Sequence, residues 1–143
     1  MKYFVVKLKW NELKPGTDQI KKVSKQFIVN AHSVTEAELK ITNWCPGNYQ
    51  EAVVEDVKKT NISSITIQDT SDIFWLVKTI EEVADSKPKT ILELFNGSNI
   101  EILFSYLKKK SIINEIDAIT KCKVIVEEDL IKDEVILKEE TEL

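Results

Sequence analysis

The feature that most constrains this chain is a strand-to-helix corner that occurs twice. In the first copy the apolar run Phe27-Ile28-Val29 leads through Asn30 and Ala31 into Ser33-Val34-Thr35-Glu36. That tetrad has the pattern of a capping box. The Ser33 hydroxyl accepts from the Glu36 amide, and the Glu36 carboxylate reaches back to the Ser33 amide. Val34, Ala37, Ile41 and Trp44 then follow on one helical stripe, and Pro46-Gly47 stops the helix. In the second copy Lys89 to Phe95 leads into Ser98-Asn99-Ile100-Glu101, and Ile100, Leu103, Phe104 and Leu107 form the stripe. Lys108-Lys109-Lys110 follow, where a helix C-terminus favours positive charge. A chain that repeats this grammar folds as two like units.

The surrounding strands repeat as well. Phe4, Val6, Leu8 and Trp10 alternate with Tyr3, Val5, Lys7 and Lys9, the period of a half-buried strand. Asn11 to Lys22, with Pro15-Gly16, reads as a hairpin connection, and Val23 to Ala31 as the returning strand. After the first helix, Glu51 to Thr60 and Ser64 to Gln68 read as strands, with Val54, Ile65 and Ile67 in the core. Asp69 to Asp72 is a polar joint, and the order then restarts. Trp75-Leu76-Val77-Lys78 lines up with Phe4-Val5-Val6-Lys7, and Ile116 to Lys121 with Val54 to Lys59, before Val124-Ile125-Val126 closes the second unit. The expected fold is α+β, with two tandem ββαβ-type modules forming antiparallel sheet. Two helices cover one face, and a pseudo-twofold axis relates the modules. Residues 1–70 form the first module and 73–126 the second. Residues 127–143 form an acidic tail with a terminal strand around Glu134 to Lys138.

Charge is distributed unevenly. The net charge is −4, yet residues 127–143 hold eight acids against Lys132 and Lys138, so that segment carries −6 and the remainder +2. Every one of the 20 basic residues is lysine. Arginine's planar fork is the favoured tool for reading bases, so its absence counts against sequence-specific readout and leaves lysine contacts to phosphate open. No apolar run approaches the roughly 20 residues of a membrane span, and the N-terminus enters a strand pattern at once. With only Cys45 and Cys122, far apart, a disulfide framework is not suggested, so a cytoplasmic location is expected.

Several segments together resemble the domain-of-unknown-function family 4494. They are Tyr3-Phe4-Val5-Val6-Lys7, Phe27-Ile28-Val29-Asn30-Ala31, Ala31-His32-Ser33-Val34-Thr35-Glu36-Ala37-Glu38, Val54-Glu55-Asp56-Val57-Lys58-Lys59 and the aromatic restart at Phe74-Trp75. The resemblance covers most of residues 2–126. It implies a setting in Bacteroidetes-type bacteria and their phages or mobile elements, in the neighbourhood of DNA-replication genes, and it carries no activity and no catalytic residue.

The chemistry-bearing residues are sparse. His32 is the only histidine and stands beside a helix cap, where a local structural role is expected. Cys45 and Cys122 read as small hydrophobes. Asp56-Val57-Lys58 with Glu51 has the residue types of a metal-dependent nuclease, carboxylates to hold a divalent ion and a lysine to stabilise charge. A solvated strand edge explains the same string more economically. No glycine-rich phosphate loop exists, and no cofactor or metal is expected. The leading expectation is a non-enzymatic accessory protein that binds single-stranded nucleic acid in DNA metabolism. Its candidate residues are Tyr3, Lys7, Lys9, Lys25 and Lys78, with rings stacking on bases beside phosphate-binding lysines. The alternative is a protein-interaction or assembly module, including an inhibitor of a host protein or a homo-oligomer.

Overall fold

The computed structural model of the chain describes residues 2–110 and 115–132. The terminal strand expected around residues 134–138 lies outside them. The elements in order are β1 (Lys2–Leu13), β2 (Ile20–Ala31), α1 (Val34–Trp44), β3 (Gln50–Lys59), β4 (Ile62–Thr66), β5 (Phe74–Glu81), β6 (Lys89–Asn96), α2 (Ile100–Lys110), β7 (Glu115–Lys121), β8 (Ile125–Val126) and α3 (Glu128–Ile131). They form an α+β structure with two four-stranded, mainly antiparallel sheets, consistent with two tandem modules.

The modules match in detail. The sheets run β3-β1-β2-β8 and, read in the same sense, β7-β5-β6-β4. In each, a long antiparallel hairpin sits at the centre and a third strand adds antiparallel to its first strand. The third strand carries a β-bulge at the same place in both copies. The register steps from Lys7↔Asp56 to Leu8↔Val54, leaving Glu55 as the extra residue. It steps from Lys78↔Ala118 to Thr79↔Ile116, leaving Asp117. Past each third strand the same bond closes the edge: the Thr60 amide donates to the Tyr3 carbonyl at 2.9 Å, and the Cys122 amide to the Phe74 carbonyl at 2.8 Å.

The fourth strands depart from the expected modules. β4, expected in the first, pairs in parallel with β6, with Ile65 opposite Leu94. β8, expected to close the second, pairs in parallel with β2, with Phe27 opposite Ile125. The chain therefore separates into a unit of residues 1–60 together with those from Val124 onward, and a unit of residues 61–123. Connection length bars each fourth strand from the parallel position beside β2 or β6 of its own module, and the bulged, charged edges of β3 and β7 disfavour the hairpin position. β2 and β3 both run antiparallel to β1, so a fourth strand parallel to β2 in its own sheet would also be parallel to β3. Such a crossover takes about a dozen residues or more. Only Thr60 and Asn61 separate β3 from β4, and only Cys122 to Val124 separate β7 from β8.

In the first unit the core joins alternate residues of β1 (Phe4, Val6, Leu8, Trp10) and β2 (Phe27, Val29, Ala31) to Ala37 and Ile41 of α1 and Leu130 of α3. The acidic segment after Val126 thus begins with a short packed helix. In the second unit Val77, Phe95, Leu103 and Leu107 are buried together. The helical stripes are narrower than their sequence suggests. Val34, Ile100 and Phe104 are exposed, and of the residues expected in the core after β3, Ile67 is 47% exposed. β4 ends at Thr66, so Ile67 lies past the pairing.

The two longer helices, α1 and α2, are capped by side chains, with two changes from expectation. Ser33 Oγ accepts from the Glu36 amide at 3.1 Å, but the Glu36 carboxylate accepts from the His32 amide at 3.3 Å, one residue before the expected Ser33 amide. In α2 the cap is Asn99, whose Oδ1 accepts from the Ile102 amide at 2.9 Å, in place of the expected Ser98. Ile102 then stands where a capping box has its glutamate, so the second corner has half of the reciprocal pair.

A buried asparagine stands at the end of the second strand of each central hairpin. Asn96 is 1% exposed. Its Oδ1 accepts from the amides of Gln68 (2.7 Å) and Asp69 (3.1 Å), and its Nδ2 donates to the carbonyls of Asp69 and Ser71. Asn30, 2% exposed, donates from Nδ2 to the Ile131 carbonyl at 3.1 Å. Lys40, fully buried on α1, adds bonds from Nζ to the carbonyls of Asn30 and Lys132. Each set holds the backbone that lies beyond a fourth strand. Asn96→Ala removes four such bonds and leaves half-buried backbone groups without them, so it should lower unfolding free energy by about 3 kcal/mol in urea titration. A loss below about 1 kcal/mol would show that these bonds do not secure the segment.

Candidate nucleic-acid interface

The face of β1 opposite the core carries Tyr3, Val5, Lys7 and Lys9, as the alternation predicts, but all four are half-buried. Their neighbours on β2 explain part of this. Tyr3 lies opposite Asn30 and Val5 opposite Ile28, and both β2 residues are buried. Among the described residues, this part of the strand offers no open ring platform.

The lysines are held by the bulge. The Glu55 carboxylate meets Lys7 Nζ at 3.0 Å and Lys9 Nζ at 3.6 Å. The hydrogen bond and charge of Lys7, and then the charge of Lys9, hold the Glu55 carboxyl below the usual carboxylate range. The second module repeats the arrangement, with Lys78 Nζ 3.4 Å from the Asp117 carboxylate at the equivalent bulge. Bulges and charges on an outer strand discourage pairing with another chain, which accounts for both bridges structurally.

Of the five residues chosen from sequence, the structure brings Tyr3, Lys7 and Lys9 together. Lys25 lies opposite Leu8, so it belongs to the other face of the sheet, and it is exposed. Lys78 belongs to the other unit.

Other lysines were missed because residues 11–22 read as a mere connection. The strands instead continue to the pair Leu13↔Ile20, and residues 13–22 are exposed throughout. The turn is closed by the Lys14 amide donating to the Gln19 carbonyl at 2.8 Å, and Gly16 takes a φ of 73°, which glycine adopts without steric cost. Lys14, Lys21, Lys22 and Lys25 form no ion pair among the described residues. The available signal was Leu13 and Ile20 flanking a Pro-Gly turn, which fits strand ends as well as loop residues.

The remaining chemistry is structural. Trp10 stacks on Tyr49 with ring centroids 3.9 Å apart, and Phe27 and Trp44 complete the cluster. Trp75 Nε1 donates to the Gly97 carbonyl at 3.0 Å. Burial pushes the Cys45 thiol up, toward its protonated form. In the nuclease-like string, Asp56 pairs with Lys58 at 3.8 Å and Glu51 accepts from Asn11 Nδ2 at 3.1 Å. Among the described residues no three His, Cys, Asp or Glu side chains gather as a metal site. No helix among them is long and apolar enough to cross a membrane.

The fold and its surface thus define a duplicated α+β protein with lysine–carboxylate bridges on bulged outer strands and, among the described residues, lysines without ion pairs on one long hairpin. Residues 2–126 match the model of the domain of unknown function DUF4494, and the chain belongs to that family. No curated protein and no solved structure matches it.

The bridge has a direct spectroscopic test. Replacing both lysines, Lys7→Gln with Lys9→Gln, should bring the Glu55 carboxyl back up toward the ordinary carboxylate range in an NMR pH titration. Because the folded-state value in the natural protein is depressed, the bridge stabilises above the unfolded carboxylate pKa, and that contribution fades as pH falls through the folded value. An unchanged Glu55 titration in the double variant would mean that the lysines do not hold it.

Proposed function

We propose that this is a non-enzymatic nucleic-acid-binding accessory protein of a phage or mobile element, acting in DNA metabolism in the cytoplasm. The observation that carries the reading is the contrast between two sets of lysines. Lys7, Lys9 and Lys78 already meet carboxylates, so contact with phosphate would require breaking those pairs. Lys14, Lys21, Lys22 and Lys25 are exposed and without ion pairs among the described residues, on a hairpin whose carboxylates are Glu12 and Asp18. Phosphate contact by such lysines releases counterions and needs no arginine. The mobile-element setting rests on the family resemblance.

A second reading has its own observation. α2 presents Ile100, Ile102 and Phe104 outward, with Lys108 Nζ 5.3 Å from the Phe104 ring centre. An apolar helix face of this kind suits a protein-interaction or self-assembly module.

Oligonucleotide binding by fluorescence anisotropy across a salt series separates the two. The first reading expects binding at low salt that weakens linearly in log–log form as salt rises. Deleting residues 133–143, which hold five acids and Lys138, should strengthen it. The deletion starts there because Leu130 is part of the core. No binding at low salt, with or without that segment, would remove the nucleic-acid reading.

A further inference from the structure

We propose that the β1–β2 hairpin is an arm that enters a groove of duplex nucleic acid; this rests on the nucleic-acid reading above and names its contact element and ligand form. Comparison of the two modules is the first support. The strands of the first hairpin have 12 residues each and those of the second have 8. The central hairpin of this fold therefore does not require the extra length. In the first module the excess is exposed from Leu13 to Lys22 and carries Lys14, Lys21 and Lys22 against Glu12 and Asp18. The corresponding end of the second carries Glu81, Glu82 and Asp85 against Lys87 and Lys89.

The second support is the distribution of side chains around the ribbon. In the excess, Leu13, Ile20 and Lys22 share the face of Lys9, while Lys21 lies on the opposite face across from Glu12; Lys25 is on that second face at the base of the arm, across from Leu8. Positive charge on both faces suits a ribbon standing between two phosphate backbones. A single strand laid along one face would leave the other lysines idle. Two paired strands with their side chains are about 10 Å across, within a major groove of about 12 Å. Leu13 and Ile20 form an exposed cross-strand apolar pair, 57% and 60% accessible, just behind Pro15-Gly16. Apolar side chains of this size are the kind that contact base edges or wedge between base steps. The lysines bind backbone irrespective of sequence, and the apolar pair selects a groove.

The experiment compares the full chain on a labelled duplex and on its separated strands by anisotropy over a salt series. The wild-type protein should prefer the duplex. Substituting Lys21, Lys22 and Lys25 by glutamine should weaken duplex binding by about tenfold or more and flatten the log–log salt slope by roughly one per lysine. Leu13→Ser with Ile20→Ser should weaken duplex binding while leaving that slope unchanged. Lys87→Gln with Lys89→Gln on the second hairpin should change neither. All of these positions are exposed, so matched thermal unfolding will confirm that the variants fold. Duplex binding untouched by either arm variant overturns the arm and leaves the nucleic-acid reading standing. Equal binding to single strands overturns the groove. Absence of binding to any probe at low salt overturns the nucleic-acid reading and the arm with it.

Discussion

The structure depends on two connections too short for the strands they join. A parallel crossover needs enough chain to return along the sheet. Thr60-Asn61 and Cys122 to Val124 do not supply it. β4 therefore completes the sheet of β5 and β6, and β8 completes that of β1 and β2. Neither fourth strand is long, and β8 has only two paired residues. Much of the security of these additions comes from bonds to the backbone just beyond them. Asn96 binds the backbone from Gln68 to Ser71, and Asn30 with Lys40 binds the end of α3. Buried polar groups of this kind are costly unless bonded, so their bonding selects one arrangement of the chain past each strand.

The same duplication governs where charge is available. The bulge repeated in the third strands puts a carboxylate beside a lysine in each module, which blunts outer strands and occupies Lys7, Lys9 and Lys78. The first hairpin escapes this because it extends past its third strand: the last β1–β3 pair is Asn11↔Gln50, while β1–β2 pairing continues to Leu13↔Ile20. Lys14, Lys21 and the apolar pair Leu13 and Ile20 lie past the last β1–β3 pair, while Lys22 and Lys25 lie on β2, on the side of β1 away from β3.

Much of the architecture was legible in the sequence. Alternation in β1 identified its core face, the two corners identified the duplication, and the matched third strands held in register down to the bulge. The exchange of fourth strands was not read from alternation, because a strand of a few apolar residues carries no sign of which sheet it joins. The shortness of the links was visible and excludes a parallel return to β2 or β6 of the same module, though it leaves a hairpin onto β3 or β7 open. Lys40 at the centre of the first unit was also hidden: a lysine on a helix normally reads as solvated, and bonds to the carbonyls of Asn30 and Lys132 make its burial acceptable. For the site, residue type pointed to lysine, but pairing decides which lysines are available, and the bulge that pairs Lys7 and Lys9 with Glu55 emerges only once register is known.

The exchange of fourth strands is tested most directly by interstrand NMR contacts. Backbone NOEs should connect Phe27 and Ile28 with Ile125 and Val126, and Leu94 and Phe95 with Ile65 and Thr66, in parallel register. NOEs linking β4 to β2, or β8 to β6, would show that each module closes its own sheet and would contradict the account.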